Sequence, residues 1–150
     1  MYKFSVYGIP GPQGSKSFKG MRRSKKTGKE HAVMVESSSK VKPWRRDVSD
    51  VARAIRNGAP PLDGPIIARM VFTLPKPSGA PKRRRTWPCK KPDVSKLCRS
   101  TEDALVESGI ISDDARIVGY TRLEKVYPGE DPESLEAPGC RIELALLDAA

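Results

Sequence analysis

Residues 65–74 read Pro65-Ile66-Ile67-Ala68-Arg69-Met70-Val71-Phe72-Thr73-Leu74. The run is almost continuously apolar over the length of one strand, which predicts a strand covered on both faces and placed centrally in its sheet. The next segment, 75–92, holds five prolines together with Lys82-Arg83-Arg84-Arg85 and Lys90-Lys91. Proline removes backbone donors and fixes φ, so this segment is read as a basic loop. Past Asp93 the spacing changes. Leu97, Thr101, Ala104, Leu105 and Ser108 share one face of a helix predicted over 95–108, with Gly109 as its stop. Segments 115–126 and 140–147 read as two further strands, joined by an acidic loop or wide hairpin turn over 128–138.

Upstream of the central strand, Tyr2-Lys3-Phe4-Ser5-Val6-Tyr7 alternates and predicts a strand, ended by the Gly- and Pro-containing segment 8–14. Residues 15–30 are mostly Ser, Lys, Arg and Gly without periodicity and are expected to form a basic, mobile loop. Residues 32–36 are expected to be a short strand pairing with the first as a hairpin. A helix is predicted from Pro43 to about Asn57, with Trp44, Val48, Val51 and Ile55 on one face and Gly58, Pro60 and Pro61 ending it. The expectation is one α+β domain over 1–150, with a mixed sheet of four to five strands packed by two main helices.

At 150 residues the chain has room for one ordinary core. Its net charge of +10 is unevenly spread. Residues 1–100 carry 24 Lys/Arg against 6 Asp/Glu, whereas residues 101–150 carry 4 against 12. The positive residues form three clusters. The first holds Lys16, Lys19, Arg22, Arg23, Lys25, Lys26 and Lys29; the second holds Lys40, Lys42, Arg45 and Arg46; the third is 82–91. Several basic clusters flanking ordered segments point to a surface laid against phosphates. Lys16, Arg22, Arg23, Lys82, Arg83, Arg84, Arg85, Lys90 and Lys91 are the candidate DNA contacts. No basic stretch has an apolar face at helical spacing, which argues against a membrane surface, and no run approaches the roughly 20 apolar residues of a span. A cytoplasmic protein is expected.

Several chemistries drop out. Cys89, Cys98 and Cys140 form no C-x-x-C pair, and His31 is the sole histidine, which disfavours a structural zinc site and a histidine-based triad. Gly11-Pro12-Gln13-Gly14-Ser15-Lys16-Ser17 has the flavour of a phosphate-binding loop. It lacks the Gly directly before the Lys and no helix pattern follows, so no nucleotide cofactor is expected.

In so basic a setting the acids are informative. Asp93 follows the basic loop at the head of the second helix; Asp113 and Asp114 follow Ile110-Ile111 and open the next strand. Taken singly, Asp93 is an N-cap candidate and the pair an ordinary polar turn. If they converge, they form an oxygen-rich site for Mg²⁺ or Mn²⁺, which activates phosphodiester hydrolysis without histidine or thiolate. The intervening helix spans about 21 Å at 1.5 Å per residue, so periodicity alone does not establish that meeting.

The stretch Lys91-Pro92-Asp93-Val94-Ser95-Lys96-Leu97, with Arg99, Asp103-Ala104-Leu105, Gly109 and Ser112-Asp113-Asp114-Ala115-Arg116-Ile117-Val118, resembles the signature of the RusA family of Holliday junction resolvases of bacteria and their phages. The resemblance implies a homodimeric, Mg²⁺-dependent endonuclease that nicks opposing strands of a four-way DNA junction. By the same resemblance Asp93 matches the first metal-binding aspartate, Asp114 the aspartate after the helix, and Asp113 its acidic neighbour. Arg99 stands where the family commonly has an essential lysine, and Lys96 is one turn earlier. Ser95 stands where the family often has a second metal-binding aspartate, and a hydroxyl brings no negative charge. The reading from a different class is a non-catalytic, basic junction-binding or architectural protein, whose acids only cap and solvate.

Overall fold

The computed structural model describes residues 1–14, 16–36 and 39–148, with side chains at all of these except 16–19, 22 and 31–36. The elements are β1 (Tyr2–Tyr7), β2 (Lys16–Arg23), β3 (Glu30–Glu36), α1 (Val41–Arg56), β4 (Ile66–Thr73), α2 (Val94–Ser108), a 3-10 turn (Asp114–Arg116), β5 (Ile117–Val126) and β6 (Gly139–Leu146). Four strands form one mixed sheet in the order β1-β6-β4-β5, and β2 with β3 forms a separate antiparallel ribbon. The architecture is α+β, and β4 is interior, with β5 parallel on one side and β6 antiparallel on the other.

The core forms between the helices and one sheet face. Phe4 and Val6 of β1, Ala68, Met70 and Phe72 of β4, and Cys140, Ile142 and Leu144 of β6 share it with Trp44, Val48, Leu97 and Leu105. Trp44 is fully buried and donates from Nε1 to Thr101 Oγ1 at 3.0 Å, which ties α1 to α2. The other sheet face carries a row of charges across three strands. Lys3 pairs with Glu143 at 3.2 Å, Glu143 with Arg69 at 3.2 Å, and Arg69 continues to Glu133. Strand alternation separates the two faces.

Five expectations need correction. The partner of β1 is β6, from Tyr2↔Leu144 to Tyr7↔Gly139, because only there do Phe4 and Val6 reach the core. The short strand β3 pairs instead with β2, which occupies much of the expected 15–30 loop. A ribbon satisfies its own backbone along the inner edge, so it needs no apolar periodicity. The ladder shifts register between Phe18 and Met21, where Gly20 takes φ 103°. Segment 128–138 is no hairpin turn, since β5 and β6 lie on opposite sides of β4. Strand β5 begins at Ile117 rather than 115, because Asp113 accepts from Ala115 N and starts the 3-10 turn. On α1, Ile55 is 43% exposed, and the buried face is Val41, Trp44, Val48, Ser49 and Ala52.

Segment 8–14 is fastened to the head of α2. Gln13 N donates to Lys96 O at 3.0 Å, and Ser100 Oγ donates to Gly11 O at 2.6 Å. Gly11 is required there: a Cβ would stand 2.1 Å from Lys40 O.

Candidate active site

Asp93 occupies the N-cap position of α2 in extended conformation, φ −70° and ψ 138°, yet its side chain makes no capping hydrogen bond. Its backbone carbonyl does the local work, accepting from Lys96 N and Leu97 N. The carboxylate is more than half exposed and lies 3.7 Å from Lys96 Nζ. It lines a cleft of about 700 Å³ with Lys90, Lys91, Lys96, Leu74 and Tyr127. One acid stands here among several lysines beside the cleft, with its carboxylate not used for capping.

The loop delivering Asp93 is pinned from β5. Lys125 Nζ donates to Lys90 O at 3.1 Å and to Pro92 O at 2.9 Å. From Asp93, the residues Lys96, Arg99 and Asp103 follow at three- and four-residue spacing, so they form one stripe along α2. Arg99 is exposed and makes no ion pair with any described residue.

At the other end of α2, Asp113 accepts from Ala115 N at 2.8 Å, and Asp114 opens the 3-10 turn. The neighbouring Asp113 carboxyl raises Asp114 above the ordinary carboxylate range, helped by desolvation and by the charge of Asp103. Asp113 is lowered, first by the Ala115 N–H and then by Asp114. Adjacent carboxylates of this kind resist double ionisation.

Strand β5 runs back beside α2. Tyr120 OH meets Cys98 Sγ and Glu102 Oε1, each at 3.1 Å, midway along the helix, and Lys125 reaches the loop at its head. Burial and the Glu102 contact push the Cys98 thiol up to about 12, so it is a packing group. Asp93 and Asp114 thus stand at opposite ends of α2, whose 15 residues extend about 22 Å. One chain does not bring them together. Among the described residues there is no cluster of three His, Cys, Asp or Glu able to hold a metal.

The basic surface borders the cleft. Lys82, Arg83 and Arg84 are exposed and make no ion pair with described residues. Arg85 pairs with Asp131 Oδ2 at 2.8 Å, and the same oxygen takes Arg122 at 2.7 Å. Asp131 is only 4% exposed at its side chain and lies well below the ordinary carboxylate range, first because of Arg122. Lys76 pairs with Glu130 at 2.8 Å, and Thr86 N donates to Glu130 Oε1 at 2.8 Å. The acidic 128–138 segment is therefore a clamp on the basic loop. The sequence marks it only as an acidic loop or wide hairpin turn, although its charge complements the clusters at 82–91. Arg23 is exposed on β2, whereas the Lys16 and Arg22 side chains lie outside the described residues.

Residues 14–135 match the family described as Endodeoxyribonuclease RusA, which takes in the cleft, α2, the Asp113–Asp114 pair and the clamp. The chain belongs to the RusA family. No curated protein matches it. As a RusA endodeoxyribonuclease it is a nuclease, and the family acts on branched DNA junctions. No helix among the described residues is long and apolar enough to cross a membrane.

The residues fit a divalent cation of the Mg²⁺ type. Such an ion takes one or two protein carboxylates and completes its shell with water and substrate phosphate. The Asp113–Asp114 pair offers two adjacent carboxylates of that kind at the start of the 3-10 turn.

Proposed function

We propose that this RusA-family nuclease is a homodimeric, Mg²⁺-dependent Holliday junction resolvase that serves DNA recombination and repair in the bacterial cytoplasm, host- or phage-encoded. The observation that carries the reading is the α2 stripe. It leads from Asp93, through Lys96 and Arg99, to Asp103, whose charge is felt at Asp114. Bases that would hold a phosphate lie along this helix face, between Asp93 at its head and Asp103 on the side of the Asp113–Asp114 pair beyond its tail.

Asp113 and Asp114, with Asp93, would hold the ion, Mg²⁺ or Mn²⁺. When bound, such an ion acts as a Lewis acid on the phosphodiester. Lys96 and Arg99 hold the phosphate; Arg99 presents a planar fork where a lysine would present a point charge. Asp93 lies too far along α2 to join Asp114 within one chain, so the two carboxylates serve one site across two protomers. A two-fold pair of sites also suits paired nicks in a junction of near two-fold symmetry.

The test mixes Asp93→Asn and Asp114→Asn chains. Each homodimer is expected to lose Mg²⁺-dependent nicking of a synthetic four-way junction. In a mixed dimer one site collects both substitutions and the other keeps both native aspartates, so nicking of a single strand returns. A mixed dimer as inactive as its parents overturns the shared site. Native protein that cuts equally in Mg²⁺ and EDTA overturns the metal dependence.

A further inference from the structure

We propose that Trp87 is a stacking platform for a base whose own stacking is interrupted at the branch point, and hence a specificity-determining residue for branched over linear DNA; this rests on the junction reading above. Trp87 is 60% exposed, an anomaly for the largest apolar side chain and unlike the fully buried Trp44. It sits in the basic loop between Arg83-Arg84-Arg85 and Lys90-Lys91, six positions before Asp93. Its neighbour Pro88 is buried and lines the cleft that Asp93 lines.

The indole is presented by a braced frame. The Arg85 guanidinium carbon lies 4.7 Å from the Trp87 ring centroid and covers one face. Arg85 is itself held by Asp131, which Arg122 fixes in turn. On either side the backbone is tied down, by Thr86 N to Glu130 and by Lys125 to Lys90 O and Pro92 O. Cys89 N also closes a tight turn onto Trp87 O at 2.8 Å. Little loop ordering is left to be done on binding, which is how preorganised contacts keep their affinity.

An exposed aromatic ring with a cation on one face and phosphate-binding charges on both sides fits a nucleobase on its remaining surface. Stacking of this kind ignores base identity, because every base has a π-face. It does demand a base free of its own neighbours. A continuous duplex presents none, whereas the centre of a four-way junction presents bases whose stacking is interrupted. The charges supply attachment to any DNA, and Trp87 supplies the discrimination.

The experiment compares native protein, Trp87→Ala and Trp87→Phe in EDTA, so that binding is read without cutting. Affinities are measured for a synthetic four-way junction and for a linear duplex of the same arm sequence. Trp87→Ala is expected to bind the junction about tenfold more weakly and the duplex within about twofold of native, and Trp87→Phe to keep most of the preference. Junction addition should quench the solvent-exposed part of the native tryptophan emission and leave the Trp87→Phe emission unchanged. An unchanged junction-to-duplex ratio in Trp87→Ala overturns the proposal, as do equal losses on both DNAs or a native protein without preference. None of these readouts involves cleavage, so an uncut junction refutes the nuclease mechanism without touching this result.

Discussion

Asp113 and Asp114 stand side by side at the start of the 3-10 turn, and their proximity drives their acidities apart, Asp114 up and Asp113 down. The pair sits at the tail of α2, while the third acid, Asp93, stands at its head without a capping bond.

The raised Asp114 sets a pH dependence. A cation needs both carboxylates ionised, so Mg²⁺ binding weakens as pH falls through the raised Asp114 titration. For stability the sign is opposite. A carboxyl raised in the folded state favours folding at low pH, and that advantage is lost as pH rises through its folded titration. Asp114→Asn should therefore keep or raise Tm at neutral pH while abolishing the Tm increase produced by Mg²⁺. Thermal melts with and without the ion check both parts.

Ser95 is exposed one position beyond the helix start, beside Asp93 and one turn before Arg99. Ser95→Asp adds a negative charge at the head of α2, where the helix dipole also favours it. Nicking at low Mg²⁺ is expected to rise several-fold, with half-saturation moved to lower Mg²⁺. A nicking titration is the check, and an unchanged half-saturation point contradicts a metal role for this end of the helix.

Arg83 and Arg84 are exposed without ion partners among the described residues, in contrast with the clamped Arg85. If each meets one phosphate, Arg83→Ala with Arg84→Ala lowers the slope of log affinity against log salt by about 2. The loss should be the same for junction and duplex, because a phosphate contact carries no shape information. Salt titrations on both DNAs decide it.

Asp131→Asn removes the negative charge and one of the two carboxylate oxygens that hold Arg122 and Arg85. The low Asp131 titration means its contribution is present above the ordinary aspartate range and disappears as pH falls through the depressed folded value. At neutral pH the variant should lose about 1.5–3 kcal/mol, the scale of a hydrogen bond to charged groups. Trypsin should then cut the 82–85 loop faster than in the native protein. Urea unfolding and limited proteolysis measure the two effects.

Thr101→Val leaves the Trp44 indole N–H unpartnered inside the core, at an expected cost of about 1–3 kcal/mol. Equilibrium unfolding checks it, with DNA binding by the folded fraction unchanged.

Legibility in the sequence followed the range of the forces involved. The apolar run 66–73 announced an interior strand, the three-to-four spacing from Leu97 to Ser108 marked α2, and Asp93, Asp113 and Asp114 stood out as acids in a basic chain. These features depend on neighbours a few positions apart, so periodicity and composition exposed them. The partner of β1, the β2–β3 ribbon and the grip of Asp131 and Glu130 on the basic loop did not show, because each joins segments tens of residues apart through edges and charges that carry no local pattern. The distance between Asp93 and Asp114 belongs to the same class. Sequence spacing put them one helix apart, and the packing of that helix against β5 decided that its two ends stay separate.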